Sequence, residues 1–255
     1  LLRMLDGFRF RRGDSVIHRL DPRIKGLYAI VMMVAAMLYS EFYAMVFLAL
    51  LPIPLVFLAR VRKEWLRSLK GSAFFASFIF LINLITGYLY AGLVLTSETI
   101  FYSLSMTLRF IILMESFSLF FLTTIPDDLS LALEKIGIPH DFCFAFTSAI
   151  RFVPDLALEI QSIMDAQKSR GLELEKGSFM ERVRNYIPIL VPMLIRSFQR
   201  SLELAEAMES RAYGAQKKRT SLYELKMTRS DYIALGLILL FLFTIVSLRF
   251  FIPPS

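Results

Sequence analysis

The sequence predicts an all-α fold: a polytopic helical membrane protein with about five transmembrane helices and a cytoplasmic module of long amphipathic helices. Three observations predict it. Of 255 residues, 56% are hydrophobic and 24 are Phe, and mean hydropathy is +0.58, yet 20% are charged. That balance is too apolar for an ordinary soluble domain and too charged for a bare membrane bundle. Apolar runs of near-spanning length occur at about 26–40, 42–59, 73–95, 99–124 and 231–252, against the roughly 20 residues that cross a ~30 Å hydrocarbon core at ~1.5 Å per residue. Between the last two runs, residues 125–230 are rich in Lys and Arg but keep a helical apolar period.

The first run is short, and only Glu41 separates it from the second, so the two form a tight helical hairpin, whose full crossing of the membrane the sequence leaves open. Asp21-Pro22 suits the N-cap and first turn of the opening helix, with Arg23 and Lys25 as anchors on the inner side. His18 reads as an interfacial hydrogen-bonding side chain. Arg9, Arg11, Arg12, Arg19, Arg23 and Lys25 precede the first run, and Arg60, Arg62, Lys63, Arg67 and Lys70 follow the second. Both ends of the hairpin therefore face the cytoplasm, and the Ser40-Glu41 and Thr96-Ser97-Glu98 turns, which lack Lys and Arg, face outward. The N-terminus lies inside. Leu1 to Arg12 alternate arginines and apolar residues without a small-residue cleavage site, so no secretory signal is expected. The missing initiator Met suggests a trimmed chain. Gly87, Ala91 and Gly92 would let another helix approach closely, while Met32, Met33 and Met37 read as packing residues. Arg109 and Glu115 are ionisable groups in an apolar run, suited to an interhelical polar contact or to a transport role.

Three domains follow: a transmembrane domain over 1–125, a cytoplasmic module over 126–229, and a last transmembrane helix over 230–255. The positive charge of the module, from Lys135 and Arg151 through Lys217, Lys218 and Arg219 to Lys226 and Arg229, assigns it to the cytoplasm. A short helix over about 127–136 ends at Gly137-Ile138-Pro139. Phe142, Phe146, Ala149, Val153, Leu156, Ile160 and Ile163 then mark one face of a long helix. Phe179, Val183, Ile187, Leu190, Leu194, Phe198, Leu202, Ala205 and Met208 mark a second, which Pro188 and Pro192 would kink without breaking. Each stripe needs a surface to bury it. The candidates are the other helix and the cytoplasmic side of the membrane domain.

The two long helices end on near copies of one another, Asp165-Ala166-Gln167-Lys168-Ser169-Arg170-Gly171 and Glu206-Ala207-Met208-Glu209-Ser210-Arg211-Ala212. An arginine in a last helical turn complements the macrodipole, and Gly171 suits a left-handed position after Arg170, so capping alone accounts for one site. Capping requires neither Ala four residues before each Arg nor a repeated Ser. The second copy, moreover, has Ala212 where glycine would be wanted. A guanidinium at a helix end also suits a forked contact with a carboxylate on a partner. Ser169, Arg170, Gly171, Ser210, Arg211 and Ala212 are the candidate docking residues, supported by Ala166, Ala207 and Glu209.

Other chemistries find less support. A single cysteine, Cys143, excludes an internal disulfide, and with His18 and His140 it is too sparse a set for a metal site. The net charge of +7 follows the positive-inside pattern rather than the aromatic-interleaved stripe of a nucleic-acid binder, so no nucleic-acid partner is expected. A membrane enzyme would need a clustered catalytic constellation, and no pair of residues has suitable spacing. A conventional permease that binds substrate itself would show a polar intramembrane cavity and one coupling segment. A lipid-binding receptor or scaffold would show salt-sensitive membrane binding without an ATPase.

Taken together, the paired Ser-Arg-small segments, the stretch His18-Arg19-Leu20-Asp21-Pro22-Arg23-Ile24-Lys25 and the stretch Leu133-Glu134-Lys135-Ile136-Gly137-Ile138-Pro139 resemble one family in order and over nearly the whole chain. It is the transmembrane T component of energy-coupling factor transporters, the EcfT and CbiQ-like proteins, whose signature is a pair of Ala-Arg-Gly-like motifs on two coupling helices. The resemblance implies a non-catalytic, multi-pass subunit of a prokaryotic plasma membrane. It implies two cytosolic ABC ATPases that bind ATP and Mg and engage Arg170 and Arg211, a membrane-embedded S component that captures a vitamin or metal, and no cofactor on this chain. The absence of a Gly-x-x-x-x-Gly-Lys-Ser/Thr loop agrees with hydrolysis by a partner. Both motifs depart from the family in carrying Ser for the first Ala, and the second carries Ala212 for Gly.

Overall fold

A computed structural model of the chain describes residues 15–90, 92–94, 96–173, 176, 178–215, 225 and 227–251. The basic residues before Ser15, Ala91, the Lys217-Lys218-Arg219 run and Lys226 lie outside the described residues. Every regular element among the described residues is helical: α1 Pro22–Leu38, α2 Phe42–Leu50, α3 Pro52–Ala59, α4 Arg62–Tyr90, α5 Ser97–Thr123, α6 Pro126–Ile136, α7 His140–Ser169, α8 Phe179–Glu209 and α9 Arg229–Phe251. The chain divides into two compact units. One comprises the described residues within 11–137 and 225–255, the other those within 138–224.

In the first unit, Asp21 caps α1 by accepting the Arg23 N–H at 3.0 Å, and Pro22 occupies the first turn. Because Leu51 keeps helical dihedrals, α2 and α3 form one apolar segment, Phe42–Ala59. Helix α4 starts at Arg62, eleven residues before the apolar run predicts, because the intervening Lys, Arg, Glu and Leu are good helix formers with no glycine before Gly71. Four segments among the described residues are long and apolar enough to cross a membrane: 42–59, 62–90, 97–123 and 229–249. The expected fifth, α1, has 17 residues. It is the most buried helix of the unit, with Met32, Ala35 and Ala36 packed against Met45, Leu48, Ile112 and Ile245.

The predicted close approach at Gly87 is present, since a Cβ there would fall 2.3 Å from Thr99 Cγ2 of the neighbouring α5. Arg109 on α5 acts as an interhelical contact. Its Nε donates to the Ala36 carbonyl at 2.9 Å and its Nη2 to the Tyr39 carbonyl at 2.8 Å, so it closes the end of α1, where helix carbonyls lack backbone donors. Replacing Arg109→Met is expected to leave both carbonyls unpaired, at about 1–3 kcal/mol each. The purified protein should melt several degrees lower in detergent, and Arg109→Lys should recover part of the loss. Glu115 is buried with Oε2 unpartnered among the described residues, as is the Tyr28 hydroxyl.

At the opposite end of the unit, Asp231 is 1% exposed. Its Oδ1 accepts the Asp21 N–H at 2.9 Å, and its Oδ2 accepts the Thr228 N–H at 2.7 Å and hydroxyl at 2.8 Å. One carboxylate thus joins the start of α9 to the start of α1. Lys25, also buried, donates to the carbonyls of His18 at 3.0 Å and Thr123 at 2.8 Å, and Lys135 donates to the Leu225 carbonyl. A cavity of about 390 Å³ between α1, α3, α5 and α9 is lined chiefly by apolar side chains, including Val31, Leu55, Leu119, Leu237 and Phe241.

The second unit is built on α7 and α8. Ser178 and Glu181 form a reciprocal capping box at the start of α8. Both helices run through internal prolines, Pro154 in α7 and Pro188 and Pro192 in α8. Only the end of the predicted stripe of α8, Ala205 and Met208, lines the groove with α7. Val183, Ile187, Leu190, Leu194, Phe198 and Leu202 are all exposed, whereas Ser197, Arg200, Leu204 and Met208 line a groove with Phe144, Phe152 and Leu156 of α7. A single neighbouring helix covers only one sector of an apolar arc this wide.

Candidate functional site

The polar contacts between α7 and α8 set the geometry of the candidate site. Tyr213, just past α8, places its ring 5.7 Å from Phe144 and its hydroxyl 3.5 Å from Asp141, near the start of α7. Farther along, Arg200 donates to Asp155 at 2.8 Å and stacks over Phe152, and Arg196 donates to Glu159 at 3.0 Å. Near the end of α7, Gln167 Nε2 donates to the Pro188 carbonyl at 3.3 Å, and beyond it Asn185 donates to the Glu173 carbonyl at 2.9 Å. As one residue number rises, that of its partner falls. The helices are therefore antiparallel along their whole length, and Arg170 and Arg211 stand at opposite ends of the pair, roughly 40 Å apart at ~1.5 Å per residue.

The two ends have one backbone design. At the first, the Gly171 N–H bonds the Lys168 carbonyl at 2.9 Å and the Leu172 N–H bonds the Gln167 carbonyl at 3.0 Å. At the second, the Ala212 N–H bonds the Glu209 carbonyl at 2.9 Å and the Tyr213 N–H bonds the Met208 carbonyl at 3.0 Å. Each is a Schellman motif with the arginine at the C-cap position. Gly171 has φ +87° and Ala212 has φ +61°. The sequence argument that Ala212 disfavours a cap is thereby corrected: alanine takes the left-handed position that glycine takes in the first copy.

An L residue in that region is strained by about 1–2 kcal/mol, so Ala212 is held there by the surrounding bonds and by the Tyr213 contacts. Replacing Ala212→Gly is expected to stabilise the end of α8 by about 1 kcal/mol, read as slower hydrogen exchange at the Tyr213 amide. Ala212→Val should have the opposite effect, because a β-branched residue fits that region worst.

The side chains are free to meet a partner. Arg170 and Arg211 are exposed, and neither has an ion-pair partner among the described residues. Ser169 Oγ donates to the Asp165 carbonyl and Ser210 Oγ to the Ala207 carbonyl, both at 3.0 Å. Each serine thus turns back on its own helix and leaves the adjacent guanidinium unencumbered. Ala166, Ala207 and Glu209 are exposed, and the alanines keep the surface beside each arginine low. The structure separates the two copies rather than bringing them together. Sequence reasoning missed Gln167, Tyr213 and the two ion pairs. The only advance signal was Pro192, whose missing N–H predicts one free carbonyl four residues earlier without naming its donor.

Comparison with known proteins gives a consistent family. The profile of CbiQ, described as cobalt transport protein, matches residues 13–222. The energy-coupling factor transporter transmembrane protein EcfT of Clostridium kluyveri is 35% identical over 245 residues, covering 87% of this chain and 88% of the relative. EcfT of Thermosediminibacter oceani is 36% identical, covering 89% and 92%, and EcfT of Staphylococcus aureus is 32% identical, covering 89% and 90%. With four segments among the described residues able to span a bilayer and similarity over nearly nine-tenths of each chain, the chain belongs to the CbiQ family of membrane transport proteins, the group that holds the EcfT transmembrane proteins of energy-coupling factor transporters.

Proposed function

We propose that this chain is the coupling subunit of an energy-coupling factor transporter, in which Arg170 and Arg211 each dock one cytosolic ABC ATPase. The observation that carries the reading is the pair of equivalent arginine-bearing caps at opposite ends of an antiparallel helix pair. Each presents a fork of N–H donors on a rigid helix end, matched to carboxylates in a groove. Two such ends roughly 40 Å apart suit two ATPase subunits. The chain itself, as a family member, is a non-catalytic transport component, and ATP and Mg belong to the partners. Closure of the ATPase pair on ATP would displace the ends of α7 and α8, a rigid-body movement that long helices transmit.

The exposed apolar arc of α8 supports a second partner, a membrane-embedded S component that captures a vitamin or metal and is reoriented by this chain. In the reading of a permease that binds substrate itself, the membrane unit should hold a polar cavity, but the cavity between α1, α3, α5 and α9 is lined chiefly by aliphatic and aromatic side chains, with Lys25, Tyr28 and Thr123 as its polar members. The basic residues at Arg60, Arg62, Lys63, Arg67 and Lys70 favour an inward N-terminus and an inward α7–α8 unit. The test is co-purification of the wild type, Arg170→Glu, Arg211→Glu and the double variant from membranes in which candidate ATPases are co-expressed. Normal insertion with lost ATPase is the expected outcome. Full retention of the ATPases by the double variant would reject the assignment.

A further inference from the structure

Pro192 has no N–H, so the carbonyl four residues earlier, on Pro188, loses its intrahelical donor, and the pyrrolidine ring crowds that same carbonyl outward. Exposed carbonyls so released turn to water or to a neighbouring donor. Here the donor is Gln167 Nε2 of α7, at 3.3 Å. Gln167 lies three residues before Arg170, and its own carbonyl accepts the Leu172 N–H of the Schellman cap at 3.0 Å. Its backbone therefore builds the turn that presents Arg170, while its side chain reaches the middle of α8.

We propose that Gln167 is a positioning residue whose bond to the Pro188 carbonyl, opened by Pro192, latches the first arginine-bearing end to α8. The inference deepens the coupling role proposed above and rests on it for its transport consequence, though not for the latch itself. At this end of α7 two neutral side-chain bonds link the helices, Gln167 to the Pro188 carbonyl at 3.3 Å on the helix side of Arg170 and Asn185 to the Glu173 carbonyl at 2.9 Å beyond it. The ion pairs of Asp155 and Glu159 lie two to three turns back, and Cys143 and Ile189 are the fully buried residues of α7 and α8. A pull on Arg170 therefore loads the Gln167 and Asn185 bonds before the ion pairs, and of the two the Gln167 bond is the longer and has its donor within α7 itself. Neutral, exposed and longer than an optimal hydrogen bond, it holds the resting geometry and yields under load. Pro192, on this view, is present for the carbonyl it frees.

Three properties separate a latch from a merely stabilising contact: it needs a donor at 167, it needs a free carbonyl at 188, and the two requirements describe one bond. Spin labels at Lys168→Cys and Gln199→Cys, in a Cys143→Ala background, report the spacing of the helices in the purified full-length chain with and without the ATPases. Gln167→Glu, close in shape but without a donor, is expected to broaden that distance distribution. It should lower substrate taken up per ATP hydrolysed in the reconstituted transporter by about three- to tenfold, the equivalent of one hydrogen bond, with the ATPases still bound. Gln167→Lys restores a donor and should rescue both readouts. Pro192→Ala returns an N–H to the Pro188 carbonyl and should reproduce the Gln167→Glu phenotype, and the double variant should be no worse than either alone.

Wild-type spacing and coupling in Gln167→Glu would overturn the latch, and so would effects of Gln167 and Pro192 that simply multiply. Because the spacing is also measured without ATPases, failure of the docking assignment for Arg170 leaves a separate reading of the latch.

Discussion

The double charge reversal, Arg170→Glu with Arg211→Glu, is expected to reduce ATPase association by more than a hundredfold while the chain inserts and folds normally. Truncating one member of a buried, hydrogen-bonded charge pair at an interface costs about 2–5 kcal/mol, and reversal adds like-charge repulsion against the partner's carboxylates. Each single variant should therefore weaken binding by at least ~30-fold at its own end. Because the two ends stand roughly 40 Å apart and share no contact, the single losses should combine nearly additively. Folding is spared because both side chains are exposed and outside the ion pairs at Glu159 and Asp155. The check is quantitative: ATPase bound per chain after affinity purification, alongside a monodisperse elution profile. A double variant that binds as wild type would remove the arginines from the interface.

Removing the Asp231 carboxylate should damage the fold of the membrane unit about as much as removing the Arg109 guanidinium. Asp231→Ala strands the buried Asp21 N–H, at about 1–3 kcal/mol, and removes the acceptor of the N–H and hydroxyl of Thr228, an exposed residue whose groups can turn to water, at about 0.5–1.5 kcal/mol per bond. The sum, about 2–6 kcal/mol, is a large fraction of the stability of a typical domain, so the extracted protein should melt well below the wild type and part of it should aggregate. Asp231→Asn keeps one acceptor oxygen and most of the shape, and its loss should be about half as large. Fluorescence-detected elution after a heating series measures both. If Asp231→Ala survives heating as the wild type does, the link between the starts of α1 and α9 is not structural.

Much of this architecture was legible because membranes and helix ends impose strict local rules. Apolar run length exposed α2 to α5 and α9, and Asp21-Pro22 and Gly137 marked a helix start and stop that the structure reproduces. The 3.6-residue period also located α7 and α8 to within a few residues. What escaped were facts about pairs. Amphipathicity states that α8 has an apolar arc but not which sector α7 covers, and Phe198 was assigned to packing although it is 68% exposed. The sequence favours an interhelical contact or snorkelling for Arg109 over a transport role without naming its partners, which are the carbonyls of Ala36 and Tyr39. For the candidate site, the repeated Ser-Arg-small segments were visible at once. The left-handed Ala212 was not, because alanine rarely adopts that conformation and only the closed hydrogen-bond pattern around it reveals it.

The antiparallel pairing of α7 and α8 also has a symmetry. Arg211 follows Arg170 by 41 positions, and the same interval separates Arg200 from Glu159 and Arg196 from Asp155. A local dyad through the middle of the pair therefore exchanges the two helices, carries one arginine cap onto the other and maps one ion pair onto the second. An asymmetric single chain thereby offers a nearly two-fold surface, to which two like subunits can bind in equivalent orientations without a second copy of the chain.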